Sequence, residues 1–113
     1  MNDCIFCKIA NGKVKVSKVY ENNSFLAFPD ANPRVKGHTL IVPKKHFASL
    51  TDIPKKLGEE LLDALKNTAD IVMKENGVNC FNIIQNNGNS AGQVVMHVHF
   101  HIFPRKNGDR LTI

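Results

Sequence analysis

Residues 97–103 read His-Val-His-Phe-His-Ile-Phe. Successive side chains of a β-strand point to opposite faces, so this alternation reads as a strand. His97, His99 and His101 share one face, each about 6.6 Å from the next. Val98, Phe100 and Ile102 occupy the other face and point into a core. An ordinary half-exposed strand would alternate with Thr, Lys or Glu. Imidazole is neutral or charged near neutral pH and serves as nucleophile, acid, base or metal ligand, so three in register point to chemistry.

The segment before this strand, Asn86-Asn87-Gly88-Asn89-Ser90-Ala91-Gly92-Gln93, is rich in Gly and Asn and reads as a loop. Glycines let backbone N–H groups approach an anion closely, and such groups form phosphate nests. Alone, the loop reads as a flexible turn. Joined to a row of imidazoles, it sets phosphate donors beside a nucleophile, which points to transfer or hydrolysis at a phosphate.

The rest of the chain supplies a frame for that strand. Residues 5–9 form a short apolar turn of helix carrying Cys4 and Cys7 at its start. Residues 16–21 and 24–29 read as strands joined at Asn22-Asn23, residues 30–37 as a loop, and residues 38–42 as a strand ended by Pro43. One long helix is predicted over 54–76, capped by Thr51 or Asp52, with Pro54 in its first turn. Leu57, Leu61, Leu65, Ala69 and Val72 make its apolar stripe, and Asn76-Gly77 its stop. Residues 80–85 form the next strand, and 94–103 the last, stopped by Pro104. The expected fold is α+β: a mainly antiparallel five-stranded sheet with one long and one short helix.

A chain of 113 residues fits one domain, 1–113, and 42% hydrophobic with 22% charged residues is ordinary for a globular protein. No apolar run approaches the roughly 18 residues of a membrane span. The first residues lack a signal-peptide pattern, so the expectation is a cytoplasmic protein that contacts no membrane. Of the three cysteines, Cys4 and Cys7 have a C-x-x-C spacing, which points to metal or redox chemistry; two reduced, partly buried thiols are the plainer reading. Cys80 reads as a small buried hydrophobe. The net charge of +5 comes from scattered lysines. This reads as a solvated surface with mild attraction for phosphorylated ligands, not as a nucleic-acid interface.

On these residues the chain resembles the histidine-triad superfamily of nucleotide hydrolases and transferases. Its defining pattern, His-φ-His-φ-His-φ-φ with φ apolar, is matched at every position by residues 97–103. Cys4-Ile5-Phe6-Cys7-Lys8-Ile9, Phe28-Pro29-Asp30, the run from Gly37-His38 to Lys45-His46, and Ala91-Gly92-Gln93 match further pieces in the family's order. The cysteine pair makes the chain look most like prokaryotic members of the nucleotide-binding branch. The resemblance implies that His99 is the nucleophile that attacks the α-phosphorus, giving a nucleotidyl-histidine intermediate. It implies that His101 contacts the phosphate and that His38 lies against the triad. Asp30 would hold the ribose hydroxyls. Asn86, Gly92, Gln93 and Val94 would bind phosphate, and Phe6, Ile9 and Phe28 would surround the base. The ligand implied is a purine nucleotide or nucleotide conjugate, and the assembly implied is a homodimer with a continuous sheet.

The resemblance also implies a structural zinc on Cys4, Cys7, His46 and His97, a Cys2His2 set of the kind zinc favours, with no metal required for catalysis. Two departures stand out. Val94 replaces the usual Ser or Thr, which leaves only a backbone donor there. No Trp shapes the leaving-group side, which is then open or completed by a partner subunit. Two other functions remain open at this point: a metal-dependent hydrolase with the His-x-His strand as ligands, and a nucleotide-binding scaffold with little catalysis.

Overall fold

The computed structural model describes residues 3–113. Its five strands form one antiparallel sheet in the order β1-β2-β3-β5-β4: β1 is Tyr20–Glu21, β2 Phe25–Pro29, β3 Thr39–Pro43, β4 Cys80–Gln85 and β5 Phe100–Arg105. The two helices are α1, Ile5–Ala10, and α2, Gly58–Asn76. The α+β architecture is therefore the one expected. Among the described residues no helix is long and apolar enough to cross a membrane.

The centre of the sheet is apolar on both faces because each face is covered. Phe25 and Ala27 of β2, Ile41 of β3, Phe100 and Ile102 of β5, and Val98 just before it pack against Ala64, Ala69 and Val72 of α2. The intervening residues Leu26, Phe28, Leu40 and Val42 pack on the opposite side against Phe6 and Ile9 of α1. Val98, Phe100 and Ile102 thus enter the core as the alternation requires.

Helix α2 begins later than its sequence indicates. Pro54 opens a separate 3₁₀ turn, Lys55–Leu57, and the α-helix starts at Gly58. Asp52 caps an earlier 3₁₀ turn, Leu50–Asp52, by accepting from the Ser49 N–H at 3.1 Å. The cause is Pro54, which holds Ile53 extended and so separates the turns. At the other end Gly77 adopts φ +65°, and the N–H of Val78 reaches the Met73 carbonyl, closing the helix as expected. The predicted stripe is present. Ala69 and Val72 are buried, and Leu57, Leu61 and Leu65 pack against the core.

Two strands differ in extent from their sequence reading, and one residue of a third differs in burial. The strand expected over 16–21 pairs only at Tyr20–Glu21. Extending its register would set Lys18 opposite Pro29, which has no N–H to donate. The last strand, expected over 94–103, pairs only over Phe100–Arg105. Upstream, the Val98 N–H leaves the ladder for the Phe47 carbonyl at 2.7 Å. Pro104 does not stop this strand, because β3 pairing has already ended at Thr39 and Ile102, where proline is tolerated. There Pro104 approaches Gly37, whose φ is +90°; a Cβ at Gly37 would lie 2.8 Å from the Pro104 ring and 2.5 Å from Asn76 Nδ2. Only glycine satisfies both demands. Finally, Cys80 is exposed rather than buried, because β4 is an edge strand whose outer residues nothing covers.

Candidate active site

The three histidines have separate hydrogen-bond partners. His99 is nearly buried, and its Nδ1 lies 2.8 Å from the main-chain carbonyl of His97. A carbonyl only accepts, so Nδ1 carries the proton and Nε2 keeps its lone pair. The ring is packed by Phe6, edge-on at 5.1 Å, and by His101 at 5.0 Å.

A second chain of bonds fixes His101. The Arg34 N–H donates to His38 Nδ1 at 3.2 Å, so the only ring proton of neutral His38 is on Nε2. That N–H donates to His101 Nδ1 at 2.9 Å, which leaves Nε2–H of His101 as its remaining donor. Burial pushes the pKa of His38 down; the Asp30 carboxylate, 3.4 Å away, opposes this and Arg34 adds to it. Burial, then the charges of His99 and His38, lower His101 to about 4. Both rings are therefore neutral at pH 7, and the contact between His38 and Asp30 is not an ion pair there. Phe103 supports the pair, with ring centroids 4.3 Å from His38 and 5.7 Å from His101.

These groups open on a cavity of about 570 Å³, a size that suits a small ligand. Phe6, Ile9 and Phe28 line its apolar flank with Val16 and Leu40, while Asp30, Asn32, Arg34, Asn86, His99 and His101 supply the polar flank. Asp30 uses Oδ1 to accept from the Asn32 N–H at 2.8 Å. Its carboxylate keeps further lone pairs for a ligand.

The glycine loop is more self-contained than its sequence indicates. The N–H groups of Ala91, Gly92 and Gln93 are taken by the carbonyls of Gly88 and Asn89. The Gln93 side chain is buried and braces the loop: it accepts from the Gly88 N–H and donates to the carbonyls of Ala48 and Val95. Gly92 and Gln93 thus shape the loop. Gly92 and Asn86 border the cavity, and Val94 stands at its mouth with 88% of its surface exposed.

His97 points elsewhere. Its Nε2–H donates to the Pro43 carbonyl at 2.8 Å, so Nδ1 carries a lone pair, 3.3 Å from Cys4 Sγ and 3.5 Å from Cys7 Sγ. His46 Nδ1 lies 3.3 Å from Cys7 Sγ. One donor atom from each of Cys4, Cys7, His46 and His97 lies within 4.8 Å of the others. Two thiols and two imidazole nitrogens, one of them oriented by a backbone carbonyl, fit a closed tetrahedral zinc site. Burial lowers the pKa of His97 and raises that of Cys4.

Sequence reasoning missed Phe103 and Arg34. Phe103 was legible, because it continues the His97, His99, His101 alternation onto the same face. Arg34 lies in a loop without periodicity, and no local signal marks it.

His99 just before β5 and His101 within it, beside His38 and opening on a cavity with a carboxylate, form the arrangement of a histidine-triad protein. The chain belongs to the HIT domain family, whose profile matches residues 11–108. Among its relatives, the adenylylsulfatase HINT3 of Arabidopsis thaliana is 40% identical over 110 residues, covering 97% of this chain and 56% of that protein. Adenosine 5′-monophosphoramidase of Schizosaccharomyces pombe is 40% identical over 104 residues, covering 92% of this chain and 75% of that protein. A crystal structure of a Zn-bound histidine triad family protein from Mycobacterium smegmatis shares the fold with a TM-score of 0.88. It is 35% identical and covers 97% of this chain and 80% of that one.

Proposed function

We propose that this chain hydrolyses purine nucleotide conjugates, nucleoside phosphoramidates or dinucleoside polyphosphates, or transfers their nucleotidyl group, through a covalent intermediate on His99. The observation that carries this reading is the 2.8 Å bond from His99 Nδ1–H to the His97 carbonyl. It leaves an unprotonated Nε2 on a ring that borders the cavity. That lone pair attacks the α-phosphorus; a P–N bond forms as the bond to the leaving group breaks, and the leaving atom takes the electron pair and then a proton. Water next attacks phosphorus, the P–N pair returns to Nε2, and nucleoside monophosphate is released. Splitting the reaction gives water an easier target. His101 Nε2–H, with the Val94 N–H, donates to the phosphoryl oxygens as their charge grows. Asp30 accepts from the ribose hydroxyls, and Phe6, Ile9 and Phe28 enclose the purine. The relatives named for adenylylsulfate and adenosine monophosphoramidate support a nucleotide substrate.

The test is His99→Ala against wild type on adenosine 5′-phosphoramidate. Turnover should fall by about 10³-fold or more, and denaturing mass spectrometry of wild type mixed with substrate should find a nucleotidyl adduct. Equal turnover by the two proteins overturns the mechanism.

Cys4, Cys7, His46 and His97 would hold a zinc ion whose contribution is a closed structural cross-link. A metal-dependent reading has one observation in its favour: donor atoms of Asp30, His38 and His101 also lie within 4.8 Å of one another. However, His38 Nε2 and His101 Nδ1 are 2.9 Å apart. Two nitrogens on one tetrahedral zinc, each at about 2.0 Å, stand about 3.3 Å apart, so this pair has hydrogen-bond geometry. Chelation should leave kcat within about tenfold, whereas a metal-dependent reaction would stop. The working unit in this reading is a homodimer, supported by exposed apolar residues Phe81 and Ile83 on the edge strand and Leu62 on α2.

A further inference from the structure

Helix α1 has two jobs that its length does not allow it to do alone. It spans six residues, far below the roughly 12 at which an isolated helix becomes marginal. Yet Ile5, Phe6 and Ile9 form part of the cavity wall. Phe6 is 7% exposed and stands edge-on to three rings: Phe28 at 5.9 Å, His97 at 5.8 Å and His99 at 5.1 Å. The helix is capped by Cys4, whose sulfur accepts from the Cys7 N–H at 3.4 Å. Both sulfurs then reach across to His97, and Cys7 to His46 as well. The residues that pin the helix therefore flank the ring that shapes the apolar flank of the pocket. The polar flank rests on other elements: Asp30 and Arg34 on the loop after β2, Asn86 on the loop after β4, and His101 on β5.

We propose that the Cys4–Cys7–His46–His97 cluster sets the affinity of the pocket for the purine base, with Phe6 as the positioning residue between them. The inference rests on the nucleotide reading above and adds a dependence to it: metal loading of a site outside the cavity tunes base binding and leaves phosphate binding alone. When the cluster is loaded, α1 is held against Leu26, Phe28, Leu40 and Val42, and the apolar flank keeps its shape. When it is not, a six-residue helix is held by the packing of Phe6 and Ile9 and by weaker thiol–imidazole contacts of Cys4 and Cys7. The larger core against α2 contains no residue of α1, so the sheet stays folded.

Two ligands separate the halves of the pocket: AMP, which has the base, and ribose 5-phosphate, which lacks it. Titrations followed by ³¹P NMR would use wild type loaded with one zinc per chain, the same protein after chelation with metal loss verified, and the Cys7→Ser and Phe6→Ala variants, with folding checked by circular dichroism. We expect AMP to bind about tenfold more weakly in all three altered forms and ribose 5-phosphate to bind as before. In turnover, KM should rise more than kcat falls. Unchanged AMP affinity in the verified metal-free protein overturns the inference, as does equal weakening of both ligands, which would mean general loosening. Failure of the zinc-loaded wild type to bind AMP at all removes the nucleotide reading and this inference with it, and is distinguishable from both.

Discussion

Buried neutral imidazoles leave a pH signature. His38 and His101 are held below the ordinary histidine value of 6.5, His101 down to about 4, chiefly by burial. Between pH 6.5 and about 4 the unfolded chain takes up protons that these folded rings refuse, so stability falls as pH falls through that window and levels off below it. The midpoint of urea unfolding should therefore drop between pH 7 and pH 5. In His101→Gln, which can still accept from His38 Nε2–H, the drop should be smaller. Parallel curves for the two proteins would show that His101 does not carry the effect. At the same scale, the Val94 side chain is apolar and 88% exposed, so it brings no donor to the mouth of the cavity.

The sheet strands and α2 illustrate how local signals are overruled by neighbours. The apolar stripe of α2 was legible because packing follows the 3.6-residue period. Thr68 falls on the same stripe, three residues after Leu65 and four before Val72, but its polar side chain does not read as core; it is fully buried, and its hydroxyl has no partner among the described residues. Leaving a buried hydroxyl without a partner costs about 1–3 kcal/mol. Thr68→Val keeps the shape and removes that atom, so it should stabilise the fold by about 1 kcal/mol and raise Tm by about 4 °C, read by calorimetry. A fall in Tm would mean that the hydroxyl is satisfied in solution. The boundaries of β1 and β5 moved for a related reason: a strand extends only as far as its neighbour offers N–H and C=O groups, which its own sequence does not record.

At the scale of the whole molecule, β4 closes one side of the sheet with an open edge. Phe81 and Ile83 share one face of it; they are 38% and 43% exposed, and Leu62 on α2 is 55% exposed. An uncovered edge strand with apolar residues invites pairing. The proposed homodimer should bury this patch. Ile83→Glu should shift wild type from dimer to monomer in sedimentation equilibrium, with unchanged circular dichroism. A dimer that survives Ile83→Glu and Leu62→Glu together would place the interface elsewhere.

The sequence by itself determined the α+β class, the long helix, the imidazole row and the Cys4–Cys7 pair, because these depend on periodicity and on donor chemistry carried by neighbouring residues; that His46 and His97 join the cysteines was implied only by the family resemblance. Tertiary structure decided how the histidines divide. His97 turns to the cysteines because the Pro43 carbonyl takes its Nε2–H, and the His97 carbonyl in turn takes the Nδ1–H of His99. The His38–His101 pair is oriented by an N–H from Arg34. Each ring's proton is set by a partner brought near by folding, at distances in sequence that no local pattern encodes. The same holds for Cys80, Thr68 and the glycine loop: whether a polar group is satisfied or exposed depends on what packs against it, and only the folded chain contains that neighbour.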